Sequence, residues 1–273
     1  MATAGRESYR TALDRLRAVL AHADAGSIGA TGEELLAVAA MLRTQPGLRR
    51  ALTDPGRSAE HRVALLRDLL HDRVTAQTMD VAGALVAGRW SSGADLLDGT
   101  ERLGVDALLL AADRDGLLAD VEDGLFRFVQ IIDGAPELAA VLGDITVEAS
   151  RRIALVHDLL AGRADRYTVR LAELAINGFG GRGVVASLTR LVELTADRRQ
   201  RQVAYVTVAQ PLTDAQEERL GGRLSEIYDR PVSLKVTVDP HVLGGMSVLV
   251  GADLYDGTVR RRLDQARHAL AGS

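Results

Sequence analysis

The sequence of 273 residues contains no cysteine, a single lysine and few aromatic residues. The absence of cysteine excludes disulfides, thiolate zinc sites and cysteine nucleophiles, and it fits a reducing compartment. Aromatic residues make up only 3% of the chain, so its cores must consist of Leu, Ala and Val, which favours helix over sheet for most of its length. Lys235 is the only lysine, and arginine supplies the rest of the 33 basic residues.

Long apolar runs are also missing. No stretch approaches the roughly 18 apolar residues that span a bilayer, and the N-terminus, from Met1 to Arg6, lacks the hydrophobic core of a signal peptide. We therefore expect a soluble protein, which other components must hold in place if it works at a membrane.

The net charge of -4 is unevenly distributed along the chain. Residues 1–103 contain 13 basic and 13 acidic residues, residues 104–197 contain 9 and 15, and residues 198–273 contain 11 and 9. The middle third is therefore acidic, which argues against nucleic-acid binding there.

A segment of the helical part occurs twice, 90 positions apart. Residues 46–93 and 136–183 are identical at 16 of 48 positions without a gap, including Arg62 with Arg152 and Thr78 with Thr168. Such self-similarity indicates a duplicated unit of about a hundred residues. Apolar stripes at helical spacing predict five or six helices in each copy, with breaks at 26–32, 54–56 and 88–93.

Near residue 198 the apolar period changes from 3.6 to 2. We expect strands at 203–209 and 232–238, separated by a helix that a capping box of Thr213 and Gln216 begins. A hairpin around Gly251 and a final helix from Thr258 follow. The predicted fold is mainly α with a small α+β C-terminal domain: helical bundles at 1–103 and 104–197, then a β-α-β-β-β-α module at 198–273.

Candidate chemistry is sparse, and the sequence predicts no enzyme and no cofactor. Residues 178–183 match G-x-G-x-x-G, but they follow a helical pattern instead of a strand, so an interhelical loop is favoured over a dinucleotide site. Six scattered histidines have no metal-ligand spacing. The acidic residues at 113–123 lack the spacing of a calcium loop, and a solvated helix face is the favoured interpretation. These residues are Asp113, Asp115, Asp120, Glu122 and Asp123.

The C-terminal order Asp-Pro-x-x-x-Gly-Gly, apolar strand, Gly-x-Asp-x-x-Asp-Gly-x-Val-x-x-Arg-Leu resembles the signature of the delta subunit of F-type ATP synthases, called the oligomycin-sensitivity-conferring protein in mitochondria. The signature residues, interpreted as structural, are Gly244, Gly245, Gly251, Asp253, Asp256, Gly257, Arg262 and Leu263. Residues 104–197 are similar to the family's N-terminal helical domain, so the resemblance covers about 170 residues. Residues 6–103 are an additional copy that the usual family chain lacks, and its contacts stay open.

The resemblance implies a non-catalytic stator subunit in the peripheral stalk, present once per complex on the cytoplasmic face of the bacterial membrane. It would hold N-terminal helices of the alpha subunits through the helical domain and the ends of the b subunits through the C-terminal module. The family's groove between the first and fifth helices corresponds here to Ala107, Leu108, Thr168 and Leu171, although ordinary core packing explains these residues equally well.

Two other classes remain open from the sequence. A helical RNA-binding adaptor would also be an arginine-containing bundle, with strongly salt-dependent RNA affinity, but the acidic middle third speaks against it. A nucleotide-binding enzyme would depend on the glycine run that begins at Gly178.

Overall fold

The computed structural model describes residues 3–259 and residue 261, which form a mainly helical body and a small mixed sheet. The helices of the body are α1 (Thr3–Val19), α2 (Ala25–Thr44), α3 (Pro46–Thr53), α4 (Ala59–Leu70), α5 (Ala76–Ala87), α6 (Gly93–Arg114), α7 (Leu118–Asp133), α8 (Pro136–Gly143), α9 (Ala149–Leu160), α10 (Arg166–Ile176) and α11 (Val184–Arg198). The C-terminal module consists of β1 (Gln202–Val208), α12 (Asp214–Tyr228), β2 (Val232–Val238), β3 (Met246–Val250) and β4 (Asp253–Asp256). The mainly α fold class with a small α+β part is confirmed.

The helices recur at the spacing that the sequence predicts. α8 and α9 begin and end 90 positions after α3 and α4, and α10 begins 90 positions after α5. Leu52 and Leu142, which occupy equivalent positions, are both fully buried. The two copies therefore repeat their core positions as well as their sequence.

Helix α6 runs without a break across the predicted domain boundary between residues 103 and 104. It lies after α5, as the last helix of the first copy, and before α7, as the first helix of the second. One continuous apolar core extends from Tyr9 to Leu194 through both copies. The copies thus overlap on a shared helix, and the division into domains stays a prediction.

The break predicted at 26–32 is wrong, because these residues form the first turns of α2. Asp24 caps this helix by accepting a hydrogen bond from the Ser27 amide at 2.7 Å. The glycines allow a close crossing with α6: a Cβ atom on Gly32 would lie 3.1 Å from the Gly104 carbonyl oxygen. Packing of α2 against α6 therefore outweighs the low helix propensity of glycine. The predicted breaks at 54–56 and 88–93 are confirmed.

The four described strands form a sheet in the order β2-β1-β3-β4. β1 and β2, which helix α12 connects, are paired in parallel. The pairs β1-β3 and β3-β4 are antiparallel. Thr213 and Gln216 form the predicted capping box at the start of α12. The β-α-β-β-β order is confirmed, whereas most of the final helix predicted from Thr258 lies outside the described residues. No helix in the described ranges combines the length and apolarity that crossing a bilayer requires.

Candidate partner-binding surfaces

The four residues predicted for a partner-binding groove are buried within the helical body. Ala107 and Leu108 lie on α6, Thr168 and Leu171 lie on α10, and none is more than 3% exposed. Thr168 packs against α7, where a Cβ atom on Gly124 would come within 2.9 Å of its Cγ2 atom. All four are therefore buried, and of the four only Leu108 also lines a surface cleft. Their role in partner binding stays a prediction.

That cleft, which we call the α2-α10 cleft, has a volume of about 480 Å³. Helix α2 lines one side, α10 lines the other, and Leu108 lies between them. Ala25, Gly29 and Val169 add apolar surface. The Arg170 guanidinium crosses from α10 to α2, where it binds the Glu33 carboxylate at 2.8 Å. This hydrogen bond raises the pKa of Arg170, so the residue stays charged.

The α2-α10 cleft combines residues of both copies, because α2 belongs to the first copy and α10 to the second. Outside the cleft, the C-terminal ends of the two helices also meet, where Arg43 of α2 donates to the carbonyl oxygen of Asn177, just after α10, at 2.6 Å. The sequence does not predict this arrangement, because its repeat indicates two separate bundles. The available signal was the small-residue spacing of Gly26, Gly29 and Gly32, which is typical of a closely packed helix face.

The glycines of the C-terminal signature shape the hairpin that β3 and β4 form. Gly244 and Gly245 have φ angles of +92° and +81°, a region that favours glycine. A Cβ atom on Gly245 would lie 2.4 Å from the carbonyl oxygen of Gly257. Gly251, with φ of +60°, leads the two-residue turn between the strands. This geometry favours glycine at these positions, and the interpretation of the signature glycines as structural residues stays a prediction.

The acidic signature residues bind neighbouring groups of the module. Asp256 accepts hydrogen bonds from the amide and the hydroxyl of Thr258 at 3.0 and 2.7 Å. Asp253 accepts one from the Tyr228 hydroxyl at 2.9 Å, which joins β4 to α12. The remaining signature residues, Arg262 and Leu263, lie outside the described residues.

The module is attached to the helical body by a buried group of charges, which we call the Glu122 cluster. The fully buried Glu122 carboxylate of α7 binds Lys235 of β2 at 2.8 Å and Arg199 at 2.6 Å, and it accepts a hydrogen bond from Ser233. Lys235 also pairs with Asp123 at 2.7 Å. Burial works to raise the pKa of Glu122, but the hydrogen bonds from Lys235 and Ser233 outweigh it and lower the pKa.

The interpretation of the acidic residues at 113–123 as a solvated helix face is therefore wrong for Glu122. Its position on α7 faces the sheet, and the single lysine of the chain compensates its charge. Asp123, by contrast, remains 56% exposed at the edge of the same cluster.

The helical body covers only half of the sheet face that it contacts. The aligned residues Lys235, Tyr205, Leu249 and Leu254 cross the four strands in register. Lys235 is 3% exposed under α7, whereas Leu249 and Leu254 are 39% and 58% exposed. A cavity of about 1190 Å³ lies between the body and this face and reaches Leu249. The outer half of the face is thus an accessible apolar surface.

The glycine run at 178–183 is a loop between two helices, as predicted. Gly178 follows α10 with φ of +78°, and α11 begins directly after Gly183. The amide of Gly180 donates to the buried Glu101 carboxylate of α6 at 3.0 Å. In a dinucleotide site this amide would bind a phosphate group, but here it binds the Glu101 carboxylate. The loop therefore does not suit a dinucleotide.

Comparison with known proteins identifies the same family from a family model and from individual relatives. Residues 105–270 match the model of the family described as ATP synthase delta (OSCP) subunit. The chain is 56% identical to ATP synthase subunit delta of Salinispora arenicola over 270 residues, covering 99% of this chain and 98% of that protein. It is 42% identical to ATP synthase subunit delta of Streptomyces griseus, covering 100% of both chains. The match to these relatives includes the additional N-terminal copy.

A chain from the cryo-EM structure of the Toxoplasma gondii mitochondrial ATP synthase hexamer shows a distant likeness. It covers 61% of this chain and 94% of that chain, with 15% sequence identity and a TM-score of 0.38.

Proposed function

The chain belongs to the ATP synthase delta (OSCP) subunit family and is a non-catalytic stator subunit of the complex, and we propose that it joins alpha subunits to b subunits. A stator must keep the catalytic head from turning with the rotor. Such a task requires large contact surfaces and slow dissociation instead of reactive groups. The comparisons favour this role over the RNA-binding adaptor.

The α2-α10 cleft is the proposed binding site for an N-terminal helix of an alpha subunit. The observation that supports it is an apolar floor at Leu108, flanked by apolar residues and bounded by the charges of Glu33 and Arg170. An amphipathic helix would bury its apolar side on this floor and place polar residues against those charges.

The outer half of the sheet face is the proposed contact for the b subunits. Leu249 and Leu254 expose aliphatic surface beside the cavity, on strands that the helical body leaves uncovered. The end of a b-subunit helix would cover these two leucines. The same helix would also contact the neighbouring edge of the helical body. We further propose one copy per complex, peripheral attachment through these partners, and a location on the cytoplasmic face of the membrane.

Filling the α2-α10 cleft tests the alpha-subunit assignment. A Cβ atom on Gly29 would make only an ordinary contact, 3.9 Å from the Ala111 Cβ atom, so Gly29→Leu projects a side chain into the cleft from a helix that tolerates it. Fluorescence anisotropy with a labelled peptide of the alpha subunit's N-terminus should show affinity at least about tenfold weaker than that of the unchanged protein, equivalent to about 1.4 kcal/mol.

Gly222→Leu is the matched control, because nothing lies within 4 Å of a Cβ atom on Gly222 in α12, far along the chain from the cleft. It should leave peptide binding unchanged. Equal affinities for the unchanged protein and Gly29→Leu, or no binding at micromolar peptide, would contradict the assignment.

A further inference from the structure

The two copies differ sharply in charge at one equivalent end, where the α3-α4 and α5-α6 connections lie. Four arginines of the first copy correspond, 90 positions later, to apolar residues. Arg49, Arg50, Arg57 and Arg89 are replaced by Ala139, Ala140, Val147 and Phe179. The second copy forms equivalent helices with apolar residues at these positions, although Arg49 itself donates to the carbonyl oxygens of Leu42 and Arg43 at the end of α2.

Three arginines of this end line one cavity of about 640 Å³, which we call the arginine cavity. They are Arg57, Arg62 and Arg89, and the rest of the lining includes Pro55 and the largely buried Trp90. The described lining contains no Asp or Glu residue. The cavity therefore offers positive charge beside apolar surface.

The arginines of the cavity differ in the number of contacts that they make within the protein. Arg62 is buried and donates to four backbone carbonyl oxygens, so its charge is fixed at the base of the cavity. Arg57 is exposed, and its one side-chain interaction within the described part of the chain is a surface ion pair with Asp54 at 3.6 Å.

Hydrogen bonds fix the backbone of Arg89, whereas its guanidinium has no hydrogen-bond or ion-pair partner among the described residues. Its amide donates to the Ser8 hydroxyl oxygen, and its carbonyl oxygen accepts from the same hydroxyl, both at 2.8 Å. The side-chain hydrogen bonds and ion pairs found in residues 3–259 do not include the Arg89 guanidinium. The position of the residue is thus fixed while its charged group is available.

We propose that the arginine cavity of the additional copy binds an acidic peptide segment of a partner protein. Arg57 and Arg89 would bind its carboxylates through bidentate hydrogen bonds. Trp90 and Pro55 would contact neighbouring aliphatic groups of the peptide. This site goes beyond the proposed function, since it involves different residues from the α2-α10 cleft and the sheet face.

The surroundings favour a short acidic segment over an extended polyanion or a membrane. Asp54 and Glu60 are neighbours of lining residues in the sequence, and Asp54 pairs with Arg57 of the lining. A nucleic acid or an anionic bilayer would bring many negative charges against these carboxylates. A single peptide strand can place its carboxylates on the arginines alone.

Binding of an N-acetylated hexaglutamate peptide to the full chain tests the proposal. Isothermal titration calorimetry at low ionic strength should detect binding, and Arg57→Gln/Arg89→Gln should weaken it at least about tenfold. Arg127→Gln/Arg163→Gln removes the same charge from exposed positions of the second copy and should leave the affinity within about twofold. Thermal unfolding of both double variants should match that of the unchanged protein, because Arg62 and its hydrogen bonds remain.

Several outcomes would overturn the proposal. The first is equal peptide affinity in the cavity variant and the unchanged protein, and the second is an equal loss in both double variants. Inorganic phosphate that binds as tightly as the peptide, with the same arginine dependence, would show a general anion site instead. Phosphatidylglycerol vesicles that displace the bound peptide would assign the surface to a membrane.

Discussion

Arg62 and Arg152 lie 90 positions apart and bind equivalent backbone carbonyl groups in the two copies. Both are buried, although each carries a charge. The shared acceptors are the carbonyls of Arg57 and Val86 in the first copy and of Val147 and Ile176 in the second. A buried arginine therefore joins the start of the fourth helix to the end of the fifth in each repeat, which explains why the duplication retains it.

Replacing these arginines should destabilise the protein. Arg62→Leu keeps most of the side-chain volume but leaves four carbonyl acceptors without their donor, so the free energy of unfolding should fall by about 3 kcal/mol or more. Arg152→Leu should have a similar effect through three lost hydrogen bonds. Urea unfolding followed by far-UV circular dichroism measures both.

The exposed Arg67 provides the control for this pair. It lies on the same helix as Arg62, and Arg67→Leu should change the unfolding free energy by no more than about 0.5 kcal/mol. Similar small effects at all three positions would show that the buried arginines do not stabilise the repeats.

Much of the fold could be predicted because it depends on local patterns. The duplication, the helix stripes, the capping box at Thr213 and the glycine turn at Gly251 are all visible within short segments. The glycines at 26–32 show the limit of such patterns: they indicated a break, yet tight packing against α6 keeps them helical. Local propensity cannot reveal the neighbour that compensates for it.

The candidate sites depended on pairs of residues that are distant in the sequence. Glu122 and Lys235 are 113 positions apart, and each alone resembles an ordinary surface charge. The α2-α10 cleft likewise needs Glu33 of the first copy and Arg170 of the second. Charge pattern along one helix carries no information about which element packs on it, so these contacts required the structure.

The Glu122 cluster should control how firmly the C-terminal module is attached to the helical body. Glu122→Gln removes the charge that compensates Lys235 and Arg199, and the module should open more often. Because Lys235 is the only lysine and is 3% exposed, its acylation by an amine-reactive ester reports this opening. Mass spectrometry should show labelling at least about tenfold faster than in the unchanged protein.

Glu226→Gln is the matched change at an exposed ion pair with Arg223 and should leave Lys235 labelling unaffected. Rapid labelling of Lys235 in the unchanged protein, or equal rates in both variants, would contradict a closed attachment.

The exposed half of the sheet face should be required for binding b subunits. Leu249→Ser/Leu254→Ser removes the accessible aliphatic surface, so retention of the chain by an immobilised peptide from the C-terminal end of the b protein should fall at least about tenfold. Ile145→Ser, at an aliphatic residue that is 88% exposed on the helical body, serves as the control and should bind normally. Equal retention of both variants would place the b contact elsewhere.

Asp106 should make stability depend on pH. It lies on α6 and accepts a hydrogen bond from the Tyr9 hydroxyl of α1. Burial raises the pKa of Asp106 to about 7, although the charges of Arg198 and Arg190 on α11 act to lower it. Asp197 on α11 adds a negative charge, and Arg102 on α6 lies over the Tyr9 ring.

The sign of the effect follows from the two pKa values. Between about pH 4, the ordinary pKa of aspartate, and pH 7 the folded protein keeps the proton that the unfolded chain has released. Stability should therefore fall as the pH rises through this range, by on the order of 2 kcal/mol after allowance for partial exposure. Asp106→Asn should be more stable than the unchanged protein at pH 8 and lose this advantage near pH 5. Parallel stability curves from urea titrations would contradict the assignment.

Gly245 should be the least replaceable glycine of the C-terminal hairpin. In Gly245→Ala the new methyl group would lie 2.4 Å from the carbonyl oxygen of Gly257, at a φ angle that side chains disfavour. Since the opposing atom belongs to the backbone, the hairpin must shift, at a cost of about 3 kcal/mol. Hydrogen exchange of the Val248 and Val250 amides should accelerate while that of the helical body stays unchanged. Gly222→Ala, where no atom opposes the methyl group, should instead stabilise α12 by about 0.5 to 1 kcal/mol. Slower hydrogen exchange in β3 of Gly245→Ala would contradict the proposed backbone conflict.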